Sequence, residues 1–167
     1  HISDAYYQGM RATAAYLAGK SDNCIKLANS ALNALPSAEK LFISQLKTVI
    51  AASLLQQNNL SDAKKYLTEV LNTTPSFLRL FDIALPVSFK LENQHPVSKA
   101  ILKLLKKSPR LDKTSGGFTL SIDANDNYAR VCLLDSYGNQ INCAIQKQSE
   151  LKKDENYAAK VSLQFIQ

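Results

Sequence analysis

Two periodicities divide the chain. From about Asp4 to Arg110, apolar positions recur every three or four residues, the spacing of one face of a helix. From Phe118 onward they alternate with polar ones, the spacing of a strand with one buried face. The first region predicts four helices before Pro75. Tyr6 to Ala18 forms the first, ended by Gly19. Asp22 or Asn23 suits the cap of a second running to about Leu35. A long third covers roughly Ala38 to Gln57, and Asn58-Asn59 with Ser61 separates it from the fourth. In the second region Phe118, Leu120 and Ile122 predict a strand, as do Val131 and Leu133, then Ile141, Cys143 and Ile145, then Val161, Leu163 and Phe165. Four strands joined by short turns predict an antiparallel meander. The expected fold is mainly α with a C-terminal all-β part, divided as a helical domain over 1–114 and a sheet over 115–167. Ser115-Gly116-Gly117 marks the join. A single sheet layer of this length cannot cover its own apolar face. It is expected to cap the last helices or to form half of a larger sandwich.

Three segments share a finer pattern. Ala63, Leu67, Val70, Leu71 and Pro75 follow small–x₃–large–x₂–small–large–x₃–Pro. Cys24, Ala28, Ala31, Leu32 and Pro36 follow it too, as do Val97, Ile101, Leu104, Leu105 and Pro109. Pro75 and Pro109 are 34 residues apart, the period of the tetratricopeptide repeat, and these are the positions of its second helix. Over about residues 4–110 the chain therefore resembles a tetratricopeptide-repeat protein. In the middle unit Ile50, Ala51 and Leu54 fit the first-helix positions, with Ala51 at the small contact position. Pro36 and Pro75 are 39 residues apart, so the extra length is expected in the loop or at the start of the third helix. Pro86 falls inside the first helix of the third unit, where a lost donor and a steric clash break helices. That unit is expected to be degenerate.

The resemblance implies a non-enzymatic interaction module that binds a partner segment on a concave face built by the first helices. On this chain that face would present Tyr6, Thr13, Tyr16, Gln45, Thr48, Ala52, Leu55, Arg79 and Phe89. The set is apolar, aromatic and uncharged apart from Arg79, which suits an apolar or extended protein segment. The Lys/Asn carboxylate clamp of the family's chaperone-binding members is absent, since Gly9 and Thr13 occupy its early positions. A second reading is a regulatory or assembly domain of a larger enzyme or cell-envelope machine.

Charge adds a third reading. Six basic residues from Lys99 to Lys113 face one acid, Asp112, so most of the formal +6 lies there. Lys99, Lys103, Lys106 and Arg110 fall on one side of a helix, opposite Val97, Ile101, Leu104 and Leu105. Such a face suits an anionic membrane, nucleic acid or an acidic partner, or is simply a solvated helix surface. No aromatic residue is interleaved to stack on bases, which argues against nucleic acid. Apolar residues make 46% of the chain, enough for a real core, and no apolar run is long enough to span a membrane.

No cofactor or metal is expected. Cys24, Cys132 and Cys143 lack a C-x-x-C pair, and His1 and His95 do not complete a zinc set. Asp123, Asn125, Asp126 and Asn127 lack the glycine and terminal glutamate of a calcium loop and read as a turn. No nucleophile–base arrangement or phosphate loop is present, so no catalytic residue is assigned. Asp135-Ser136-Tyr137-Gly138 suits a type I turn with a glycine bulge, pairing Leu133 with Ile141 and Val131 with Cys143. In that register Cys132 and Cys143 lie on opposite faces, which disfavours a bridge. Without a disulfide the cysteine usage leans toward a reducing, cytoplasmic compartment. The chain begins at His1, so an exported or periplasmic protein stays open.

Overall fold

The computed structural model describes residues 1–147. The strand expected at Val161–Phe165, and nearly all of the charged stretch before it, lie outside the described residues. The chain forms two compact units, His1–Ile83 and a second beginning at Ala84.

The first unit is helical. Its elements are α1 (Ile2–Leu17), α2 (Ser21–Ala34), α3 (Lys40–Gln56), α4 (Leu60–Thr73) and a short α5 (Ser76–Leu80). Consecutive helices from α1 to α4 pack, α1 also packs on α3, and α5 touches α3. α1 and α3 end in the same way. Gly19 and Asn58 take positive φ, +73° and +58°. Lys20 N–H then reaches back to Ala15 O, and Asn59 N–H to Leu54 O. This left-handed closure satisfies helix-end carbonyls and turns the chain sharply into the next helix. Asn59 additionally caps α4, its side chain accepting from Asp62 N–H. These equivalent positions are 39 residues apart, as are Pro36 and Pro75. α3 starts at Lys40 and is 17 residues long, and residues 35–39 before it lie outside any helix.

The small positions lie where helices approach most closely. Ala12, Cys24 and Ala28 in the first pair, and Ala51 and Ala63 in the second, are fully buried. A small side chain lets two helix backbones come together, and Leu46, Val49, Ile50, Leu67 and Val70 complete the core around them.

The second unit is α/β. It comprises β1 (Leu85–Leu91), α6 (Pro96–Leu105), β2 (Leu111–Lys113), β3 (Phe118–Ala124), β4 (Tyr128–Leu134) and β5 (Gln140–Lys147). The strand order is β2-β1-β3-β4-β5. β1 pairs in parallel with both β2 and β3, while β3–β4 and β4–β5 are antiparallel. The sheet is therefore mixed and has five described strands, not the purely antiparallel four expected. α6 links the parallel pair β1 and β2, and it packs on β1 and β3 through Ser98, Ile101 and Leu105.

The third helix pair is absent. Its first helix is replaced by β1, and the segment that matched the second-helix pattern is the crossover helix α6. Leu85, Val87, Phe89 and Leu91 alternate with Pro86, Ser88 and Lys90, a strand period that the helical reading overlooked. Residues 84–114 accordingly belong to the compact unit that contains the sheet, and the units divide at Ile83 rather than near Ser115.

Pro86 is tolerated within β1 for a local reason. Leu85 N–H and Val87 O both bond on the β2 side, to Arg110 O and Thr114 N–H. The nitrogen of Pro86 thus faces β3, one residue before that ladder begins at Val87–Phe118. No ladder donor is lost. Gly117 occupies this place, and a Cβ there would lie 2.5 Å from Pro86 O.

The hairpin turn forms as the sequence predicts. Gly138 N–H bonds Asp135 O, and Gly138 has φ +80°. The register beyond it does not follow the prediction. Leu134 pairs with Gln140 but Leu133 pairs with Asn142, so Ile141 is an extra, bulged residue. One extra residue reverses the face of everything after it. Cys132 therefore lies directly opposite Cys143, with Cα atoms 4.1 Å apart, and the two form a disulfide. The expectation of no bridge is overturned, and with it the ground for a reducing compartment.

Candidate partner-binding site

The residues expected on the inner face divide between the two units. Tyr6, Thr13 and Tyr16 lie on α1, Gln45, Thr48, Ala52 and Leu55 on α3, and Arg79 on α5. Phe89 lies on β1 of the second unit, paired in register with Leu120, and so is not carried by the helices that hold the others.

Within the helical unit the structure joins these side chains to one another. The Tyr6 ring stacks on Phe42, with centroids 5.2 Å apart. Its hydroxyl bonds Glu39 at the start of α3, which together with burial and the nearby negative charge raises the phenol pKa. The Phe42 ring reaches the α1 backbone at Gly9, where a Cβ would lie 2.5 Å from it. Gln45 donates to the Thr13 hydroxyl at 3.2 Å, and Thr13 donates to Gly9 O. Tyr16 donates to Phe81 O at 3.1 Å and meets the Phe81 ring edge-on. Burial and then the Asp82 charge push its pKa up. Phe77 continues the aromatic row edge-on to Phe81.

Access differs along this face. Thr48 is fully buried with its hydroxyl bonded to Ser44 O, and Ala52 is also buried. Tyr6, Thr13, Tyr16, Gln45 and Leu55 are half-buried, and Arg79 is exposed. Leu80, beside Arg79 on α5, is 70% exposed. The face is a pre-ordered row of aromatic and amide groups with an apolar, cationic end at α5.

A second concavity escaped the sequence reading. A hollow of about 500 Å³ lies between α2, α3 and α4, lined by Ile25, Asn29, Ile50, Asp62, Tyr66 and Glu69 among others. It arises where α2 and α4 both pack on α3, a relation that no single-helix pattern displays.

The basic residues flank the crossover helix. Lys99 and Lys103 are exposed on α6, Lys106 caps its C-terminus, and Arg110 lies in the turn into β2. Among the described residues no carboxylate pairs with Lys99, Lys103 or Lys106.

The acidic turn is internally satisfied. Asn125 accepts from Asn127 N–H and Tyr128 N–H. Asp123 accepts from Tyr128 Oη, Arg130 and Asn93. The sequence reading missed Asn93 as an organiser. It also donates to Ala124 O, and its oxygen accepts from His95 N–H and Ser98 Oγ. His95 Nδ1 then accepts from Val97 N–H, closing the start of α6. The signal was Asn93-Gln-His-Pro96, because Pro at the first helical position marks a helix start. Among the described residues no three His, Cys, Asp or Glu side chains gather to hold a metal ion, and no helix is long and apolar enough to cross a membrane.

No family model, curated protein or solved structure matches the chain.

Proposed function

We propose that the helical unit is a non-enzymatic interaction module of tetratricopeptide-like construction, binding a partner segment along the row formed by α1, α3 and α5. The observation that carries this reading is the order already present in the row. Tyr6–Phe42, Thr13–Gln45 and Tyr16–Phe81 are held by contacts within the protein. A partner then binds without first freezing these side chains, which lowers the cost of association. Aromatic anchors of this kind dominate interface energetics. Leu55, Arg79 and Leu80 supply its accessible apolar and cationic groups.

The disulfide in the sheet unit supports a protein of an oxidising compartment. This favours the related reading of an assembly domain in an envelope machine. Lys99, Lys103 and Lys106, which meet no carboxylate among the described residues, support an alternative, electrostatic attachment to an acidic surface.

Peptide selection on the intact protein separates these readings. Extended apolar peptides selected by it should lose about tenfold or more in affinity to Leu80→Glu and Tyr16→Ala, and keep it in the triple variant Lys99→Gln, Lys103→Gln, Lys106→Gln. Loss confined to the triple variant, together with a steep salt dependence, would replace the groove with the electrostatic face.

A further inference from the structure

β5 runs against its own hydrophobic pattern. Leu120, Ile122 and Ala124 of β3 are buried, and so are Leu133, Val131 and Ala129, which lie directly opposite them on β4. Opposed residues share a face of the sheet. The buried face therefore continues onto β5 at Asn142, Ala144 and Gln146, the partners of Leu133, Val131 and Ala129. Asn142 is exposed there, and the other two are half-buried. Ile145 instead lies opposite Arg130 on the other face and is 60% exposed. A buried face ordinarily fixes strand register through the apolar residues, and here the register opposes them. The bulge at Ile141 is the reason. Without it, the Leu134–Gln140 pair beside the turn would continue as Leu133–Ile141, Val131–Cys143 and Ala129–Ile145. Ile141, Cys143 and Ile145 would then all join the buried face. Cys132 meets Cys143 only in the bulged register.

We propose that the Cys132–Cys143 bridge is a redox switch of strand register: it holds β5 in the bulged pairing, and its reduction lets β5 slip by one residue as the bulge is absorbed. Two opposed preferences meet on this strand. Burial of Ile141 and Ile145 favours the unbulged pairing, and one covalent bond holds the other. The turn is common to both, because Leu134 pairs with Gln140 in each. Among the described strands β5 pairs with β4 alone, so a single ladder has to be exchanged. The reductant is a dithiol. Its thiolate attacks Cys143 Sγ, since Cys143 is half-buried whereas Cys132 is buried, and Cys132 leaves as a thiolate. The second thiolate of the reductant then displaces Cys143. The reductant becomes a disulfide, and its two protons pass to the two cysteines. After the slip these thiols lie on opposite faces, so re-oxidation requires β5 to slip back. The face of β5 turned away from the buried side changes with the bond. It carries Cys143, Ile145 and Lys147 when oxidised, and Asn142, Ala144 and Gln146 when reduced.

Cross-strand nuclear Overhauser contacts in the intact protein read the register. Cys132 and Cys143 form a close pair, with Cα atoms 4.1 Å apart, and the α protons of such a pair lie near each other. A strong dithiol reductant should shift the pattern by one residue. Cys132 Hα should lose its contact with Cys143 Hα and gain one with Asn142 Hα, and Arg130 Hα should exchange Ile145 for Ala144. Cys132→Ser with Cys143→Ser should show the shifted set without reductant. A reduced parent or double variant that keeps position 132 opposite 143 overturns the proposal. So does one in which β5 loses its contacts with β4 altogether. A thiol trap reads the slipped pairing directly. Asn142→Cys with Cys143→Ser sets the introduced thiol opposite Cys132 only after the slip. Oxidised glutathione should close that bridge and leave Cys24, which is buried and unbridged in the parent, as the one free thiol. A variant that keeps the thiol at Cys132 free under this oxidant refutes the switch.

Discussion

Ala63 and Gly117 show how single atoms constrain this protein. Ala63 is fully buried where α4 meets α3. Ala63→Leu should destabilise by about 1–3 kcal/mol through overpacking, read as a lower melting temperature. Gly117→Ala should cost a comparable amount, about 1–3 kcal/mol, because its new methyl meets the rigid Pro86 carbonyl rather than a mobile side chain. A Gly117→Ala protein as stable as the parent would mean that the β1–β3 approach is looser than described. Charge acts through pairs of neighbours. Hydrogen bonds from Asn59 and Lys65 hold Asp62 below its ordinary value of 3.8, and those from Ser121 and Lys90 hold Glu92 below 4.5. A lowered folded pKa stabilises above the ordinary value and loses that contribution as pH falls through the folded one. Stability should therefore decline on acidification below about pH 4.5. Asp62→Asn combined with Glu92→Gln should flatten that decline in a melting series.

At the scale of elements, the hairpin of β4 and β5 carries the clearest consequence. The disulfide closes a short loop, with Cys132 and Cys143 separated by 11 residues. Closing a loop of this size contributes about 2–3 kcal/mol in the chain-entropy account. Cys132→Ser with Cys143→Ser should lower the melting temperature in non-reducing buffer to about that of the parent in a strong reductant. The reductant should change the double variant little, because Cys24 is buried and unbridged. If the parent melts identically with and without reductant, the bridge does not stabilise the sheet. The turn itself was legible from Asp135-Ser-Tyr-Gly138. The bulge at Ile141 was not, since a residue that leaves the ladder has the same composition as one that stays. That one residue decided whether the cysteines meet.

At the scale of the whole molecule, the division at Ile83 makes a truncation informative. A fragment of residues 1–83 keeps every helix of the first unit and should unfold cooperatively with high helical content. A fragment of residues 1–114 adds β1, α6 and β2 but removes β3, the strand that pairs with β1 and carries α6. Its extra segment should show no protection from hydrogen exchange, since parallel strands with a crossover helix need a covered sheet to be stable. Protection of β1 in that fragment would place the boundary near Ser115 after all.

The sequence alone determined the helical part of this protein. Its four main helices, their left-handed stops and the small residues at their contacts follow from local spacing and from repetition between the two pairs. Local signals suffice there because each helix satisfies its own backbone and needs only one apolar stripe. They failed at residues 85–110. The α6 segment carries the same apolar spacing whether it packs on a helix or on a sheet, and a strand bonds to residues far away in the chain. Tertiary structure decided that β1 lies between β2 and β3, and that Cys132 faces Cys143. It also put Phe89 on a strand rather than a helix, and tied Tyr6 and Tyr16 into internal contacts. Each of these depends on which surfaces meet, a property of pairs of elements that no single stretch of sequence contains.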